Sequence, residues 1–217
     1  MRNVFVFSAA LALIGLSPSS ATADNWPQWL GPQRDSVWRE QGIVRTFPAE
    51  GLKILWRTPV ALGYAGPAVA EGRVYIADYA RRAGDSVSGP TARDKLEGSE
   101  RVLCLDAATG KIIWKHEYDC PYFISYPDGP RCTPTVDGDR VYALGAEGNL
   151  LCLAVADGRV VWSRDLKKEY TGEAPFWGFS GHPLVDGELL HCLVGGKGTV
   201  GVAFDPHFPF DFPHFGM

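Results

Sequence analysis

Three aromatic segments hold the residues whose types could do chemistry: GYAG at 63–66, DCPYFISYPDGPR at 119–131 and FWGFSGH at 176–182. Each stands immediately before an alternating apolar hairpin, and together they are more aromatic than turns require. Tyr64, Asp119, Tyr122, Tyr126, Arg131, Trp177 and His182 would make an aromatic and polar cup. Arg131 suits a carboxylate, because a planar guanidinium meets two oxygens at once. The competing reading is structural: the rings pack between layers, and Arg131 pairs with Asp119 or Asp128.

Other motifs fail on context. GKGTVG at 196–201 fits G-x-G-x-x-G, but it lies between strand-like runs and opens no helix, so dinucleotide binding is not expected. ATGK at 108–111 lacks the upstream glycine of a phosphate loop, and GFSG at 178–181 is no nucleophile elbow. No His/Cys spacing suggests zinc and no acidic or amide cluster has calcium spacing, so no metal ligands are predicted. Of the five cysteines, Cys104, Cys152 and Cys192 lie in apolar runs and read as small buried hydrophobes. Cys120 and Cys132 flank a Pro/Gly loop and form the one candidate disulfide.

The elements that must position these residues repeat. VLCLDAATGKIIW at 102–114 returns without a gap as LLCLAVADGRVVW at 150–162. Cys104/Cys152, Gly110/Gly158 and Trp114/Trp162 all stay in register, and a third copy begins at GVAFD, 201–205. Each unit is a short apolar strand, a turn and a second strand. Asp106 accepts local backbone bonds in the turn, and Gly110 supplies a positive φ. So small a sheet cannot bury its own faces, so neighbours must stack on it, with the tryptophan as the wedge.

The pattern D-x-x-T-G-K-x-x-W at 106–114 resembles the tryptophan-docking repeat of pyrroloquinoline-quinone-like (PQQ-like) β-propellers, over about residues 26 to 205. That superfamily holds quinoprotein alcohol dehydrogenases and also non-enzymatic members, such as the propeller lipoprotein of the outer-membrane β-barrel assembly machine. The resemblance implies an all-β fold of four-stranded antiparallel blades, with Trp56, Trp114 and Trp162 as docking residues and Asp106, Gly110 and Gly158 in the turns. The three aromatic segments would then share one rim, where ligands of propellers engage. Quinoprotein dehydrogenases use a catalytic Asp, a calcium ion and often adjacent cysteines on the quinone. No Cys-Cys pair occurs here. PQQ and calcium therefore follow only if the enzyme reading holds.

Taken in order, residues 1–23 read as a signal peptide: Arg2, an apolar run at 4–16, and a small-residue site at 21–23. No Cys precedes Cys104, which argues against a lipoprotein anchor. Residues 24–51 form an aromatic, proline-held arm whose Trp26 and Trp29 read as packing across the propeller. LKILWR at 52–57 reads as an orphan strand, the outer strand of a blade whose other strands lie elsewhere. A first blade spans about 64–117, with a solvated loop near 81–100, and a second about 130–165. The third begins at 182. Pro67, Pro134 and Pro183 read as equivalent, as do Gly72, Gly138 and Gly187. After Asp205 the pattern breaks into a Pro/Phe tail, 206–217, as if cut or shifted out of frame.

Two complete blades, part of a third and an orphan strand fall short of the four to eight that close a ring. Missing blades or another chain would have to complete it. Net charge is −4, so nothing in the balance calls for nucleic acid or an anionic membrane. The expectation is an exported, periplasmic or secreted scaffold that binds a protein or glycan on its rim. The alternative is a piece of a quinone-dependent alcohol or sugar dehydrogenase.

Overall fold

The structure is a computed structural model that describes residues 24–86 and 89–207. The expected signal peptide and the tail from 208 onward lie outside the described residues.

The chain is all-β and forms a partial propeller of antiparallel blades. Blade 1 runs β1 (Ala68–Ala70), β2 (Arg73–Ala83), β3 (Asp94–Asp106), β4 (Ile112–Asp119), with β5 (Tyr122–Ile124) added at the start of β3. Blade 2 is β6 (Thr135–Asp137), β7 (Arg140–Leu144), β8 (Asn149–Ala154), β9 (Val160–Asp165). Blade 3 has three strands, β10 (Leu184–Asp186), β11 (Leu189–Gly196) and β12 (Thr199–Phe204). The first strands β1, β6 and β10 lie beside one another, as inner strands around a common axis do.

Local chemistry sets each turn. The β1–β2 turn holds Glu71 at φ 48° and Gly72 at φ 71°, both positive, which matches the twist of a two-residue hairpin. In blades 2 and 3 the same first turn position is Gly138 and Gly187. Gly72 therefore stands one place later than those two glycines, and it is Glu71 that shares their position. Blades 1 and 2 also repeat a bulge. Cys104 pairs Trp114 while Leu105 pairs Ile112, and Cys152 pairs Trp162 while Leu153 pairs Val160. The residue left over in each case turns the strand so that its tryptophan faces the next blade.

Half of the segment expected as a solvated loop near 81–100 is strand, in the end of β2 and the start of β3. β2 and β3 stay paired from Arg73↔Asp106 out to Ala83↔Glu97. Its charges hid an alternation in which Glu100, Val102 and Cys104 share one face, all buried. Conversely, 52–57 pairs with no strand among the described residues.

Blades stack through two clusters. Tyr75, Cys104 and Trp114 of blade 1 meet Val141, Ala143, Leu151 and Leu153 of blade 2. Tyr142, Cys152 and Trp162 of blade 2 meet Leu190, Cys192, Val202 and Phe204 of blade 3. Three indoles make one bond at three equivalent places: Trp56 Nε1 to the Ala107 carbonyl at 2.9 Å, Trp114 Nε1 to Val155 at 2.9 Å, and Trp162 Nε1 to Pro206 at 3.0 Å. The repeat geometry thus reaches one residue into the segment read as an aberrant tail.

All five cysteines are free and buried, so the Cys120–Cys132 pair is not formed. Cys120 Sγ faces Asn149 Oδ1 at 3.7 Å, whereas Cys132 Sγ faces the carbonyls of Phe179 and Gly181. The loop between them thus gives each thiol different polar neighbours, although both lie in one buried cluster.

Candidate functional site

The three aromatic segments do meet at one end of the blades. Tyr64 N and Ala65 N donate to the Pro130 carbonyl at 2.9 and 3.0 Å, and Ser125 N donates to Phe176 at 2.8 Å. The β7–β8 turn joins the same end, where Glu147 accepts from Phe123 N at 2.7 Å and from Lys167 Nζ at 2.6 Å.

Several predicted site residues are occupied by internal partners. Tyr122 is buried, stacks on Tyr79 with centroids 4.0 Å apart, and donates to Glu100 Oε1 at 2.5 Å. Asp119 pairs with Arg82 at the surface. Arg131 meets neither Asp119 nor Asp128: it donates to the carbonyls of Gly129, Ser125 and Tyr126 and lies 5.1 Å from the centre of the Tyr64 ring. Burial pulls the Arg131 guanidinium below its usual range, and the three carbonyls and the ring compensate in place of a carboxylate.

His182 packs against the arm. Its ring stacks on Trp29 at 4.4 Å with planes 2° apart, and its Nδ1 accepts from Thr133 N at 2.9 Å. Burial lowers its pKa. The bond from Thr133 also needs an unprotonated Nδ1, so the imidazole is neutral.

The arm itself crosses all three inner strands at one level. Trp26 exchanges two backbone bonds with Val69 of β1, 2.7 and 2.9 Å, and Pro27 accepts from Val136 of β6 at 2.8 Å. Arg34 donates to the Val185 carbonyl of β10 and stands 3.7 Å from Asp186. Val69, Val136 and Val185 hold the same position in the three blades.

What remains open on the rim is aromatic. Trp177 is 57% exposed and Tyr64 52%, with Tyr126 and Phe123 also exposed. Arg93 lies between two of the rings, 5.4 Å from Phe123 and 5.3 Å from Phe176. Sequence reading missed Phe123 and Arg93. The clue was the run of aromatics at 122–126, in which alternate residues of a short strand must face out: Tyr122 and Ile124 are buried, and Phe123 is not. Such a surface can grip flat apolar faces.

Behind the rim lies a buried carboxylate that sequence reading also missed. Glu100 accepts from the Tyr118 and Tyr122 hydroxyls and, at 2.8 Å, from Ala146 N of blade 2. Burial raises its pKa against these bonds, so the group ties blade 1 to blade 2 at an electrostatic cost.

Among the described residues no group of three or more His, Cys, Asp or Glu could hold a metal ion. Arg131 is committed to carbonyls, and the arm runs along the inner strands.

These features define an open-ended propeller with an aromatic rim. A family model described as outer membrane protein assembly factor BamB matches residues 40–207, and the chain belongs to this PQQ-like repeat family. No curated protein matches the chain at a significant level. Among solved structures it is similar to the quinohemoprotein alcohol dehydrogenase from Comamonas testosteroni, with 18% identity and TM-score 0.45 over 70% of this chain and 20% of that one. It is also similar to a europium-containing methanol dehydrogenase, with 16% identity and TM-score 0.44 over 72% and 25%. For BamB from Moraxella catarrhalis the values are 16% and 0.39, over 73% and 50%. The chain thus spans between a fifth and a half of the length of these structures.

Among the described residues no helix is long and apolar enough to cross a membrane.

Proposed function

We propose that the chain is an exported binding and scaffold module, part of a larger propeller, that holds a protein or glycan partner on its aromatic rim. The observation that carries this is the division of labour among the rim residues. Tyr122, Arg131 and His182 are taken up internally, while Tyr64, Phe123, Tyr126 and Trp177 present ring faces to solvent. Exposed aromatics held on rigid loops bind at low entropic cost and suit apolar side chains or the faces of sugar rings. The family description, an outer membrane assembly factor, supports a role through contact rather than chemistry. Export rests on the leader-like residues 1–23.

The test is a binding screen of the mature chain against cell-envelope proteins and envelope oligosaccharides, with a Tyr64→Ala/Tyr126→Ala/Trp177→Ala variant as control. A partner lost tenfold or more by that variant, at unchanged stability, supports the rim. Tryptophan fluorescence with pyrroloquinoline quinone and calcium is the counter-test: saturable quenching on the folded chain would replace this reading with the quinoprotein one.

A further inference from the structure

The arm and the inner strands border a pocket that the exposed rim rings do not line. It measures about 340 Å³ and is lined by Trp26 and Trp29 of the arm, by Gly66, Pro67 and Val69 at β1, and by Thr133 at the entry to β6. Clefts of ~300–1,000 Å³ are the size that holds small ligands. Gly66 ends one of the three rim segments and Thr133 follows another by two residues, so the pocket lies at the rim end of the inner strands.

Both tryptophan walls are fixed by the protein itself. Trp26 lies against Gly31, where a Cβ would stand 2.8 Å from Cη2 of the indole, and the φ of 80° there suits glycine. His182 stacks on one face of Trp29 and lies outside the pocket, which leaves the opposite face for it. The backbone bonds of Trp26 to Val69 and of Pro27 to Val136 pin the arm to two blades.

The walls are apolar, yet the polar groups among them lack partners. Thr133 is 2% exposed, and its Oγ1 has no hydrogen-bond partner among the described residues. A buried hydroxyl left so is costly, and calls for a bond from whatever fills the space. The indole N–H groups of Trp26 and Trp29 also bond nothing among the described residues. Among these residues no charged side chain lines the pocket. We infer that the pocket binds a neutral saccharide. The indole planes take the C–H faces of a sugar ring, and its hydroxyls bond Thr133 Oγ1 and the indole N–H groups. An apolar protein side chain would fill the same walls and leave all three polar groups unpaired. The inference rests on the glycan half of the reading above and adds a second contact point inside the rim.

The test is saturation-transfer NMR and tryptophan fluorescence of the mature chain with cellobiose, maltose and N,N′-diacetylchitobiose, repeated on Thr133→Val, Thr133→Ser and Trp29→Ala. Because Oγ1 makes no protein bond, Thr133→Val should leave thermal unfolding unchanged. The expected result is saturable binding of at least one sugar, weakened tenfold or more by Thr133→Val and Trp29→Ala and retained by Thr133→Ser. It should survive in the Tyr64→Ala/Tyr126→Ala/Trp177→Ala variant. Binding that Thr133→Val leaves intact would overturn the pocket. Binding lost in the rim variant but kept in Trp29→Ala would overturn it too, and would support the rim alone. No binding of the three sugars by the folded chain would overturn the saccharide while leaving the rim reading standing, and a protein from the rim screen weakened by Trp29→Ala would then take its place.

Discussion

Trp114 and Gly158 meet across the junction of blades 1 and 2: a Cβ on Gly158 would stand 2.4 Å from Cε3 of the indole. Gly158 also has φ 72°, a conformation that side chains resist. Gly158→Ala should cost at least ~2 kcal/mol through overpacking. Gly138→Ala, at φ 53° with open space around it, should cost only about 1 kcal/mol. Urea unfolding of both variants checks the ranking, and equal losses would refute the close approach.

Trp114→Ala removes the wedge itself and its bond to Val155. The expected loss is about 3–5 kcal/mol. Trp56 is only half-buried, so Trp56→Ala should cost less. A loss under about 1 kcal/mol at Trp114 would rule out its part in stacking the blades.

Glu100 predicts a pH signature. Its pKa in the folded chain is raised above 4.5 by burial. Stability linked to it is present below pH 4.5 and lost as pH rises through the folded value. Relative to Glu100→Gln, the wild type should therefore weaken as pH climbs from 4.5 to neutrality. Glu100→Ala strands two tyrosine hydroxyls and Ala146 N, and should cost about 3 kcal/mol. A pH-independent difference between wild type and the Gln variant would refute an ionising Glu100.

His182 has the opposite sign. Burial lowers its pKa below 6.5, so its contribution is present above pH 6.5 and lost as pH falls through the folded value. Wild type should lose stability relative to His182→Asn between pH 7 and 5. Because His116 is also lowered by burial, the comparison is made as a difference, in which His116 cancels.

The thiols offer a chemical count. Burial pushes Cys152 and Cys192 up to about 12, and raises Cys104, Cys120 and Cys132 as well. At pH 8 the folded chain should react slowly with a disulfide reagent and yield five thiols once denatured. Three thiols would restore the Cys120–Cys132 bond.

The repeat was legible because packing imposes it. Cys104, Trp114 and their partners 48 residues later must face neighbouring blades, so their types recur. The rim was legible only as a region. Sequence shows that 119–131 is aromatic, but not that Tyr122 would turn inward to Glu100 while Phe123 turned out. That choice depends on β5 joining the start of β3, a segment whose charges suggested a loop. Arg131 likewise has acidic neighbours in sequence but carbonyls in space, since the backbone of its own loop wraps it. Pro206 looked like a break because proline cannot donate. The contact made there uses only its carbonyl.

The arm has a consequence for the order of events in folding. Trp26 and Arg34 are made first, yet the bond from Arg34 to Val185 spans 151 residues. It cannot form until β10 exists and stands in line with β1 and β6. Closing so long a loop is slow relative to each local hairpin. Residues 26–34 therefore act last, as a latch that engages only once three successive sheets are correctly aligned.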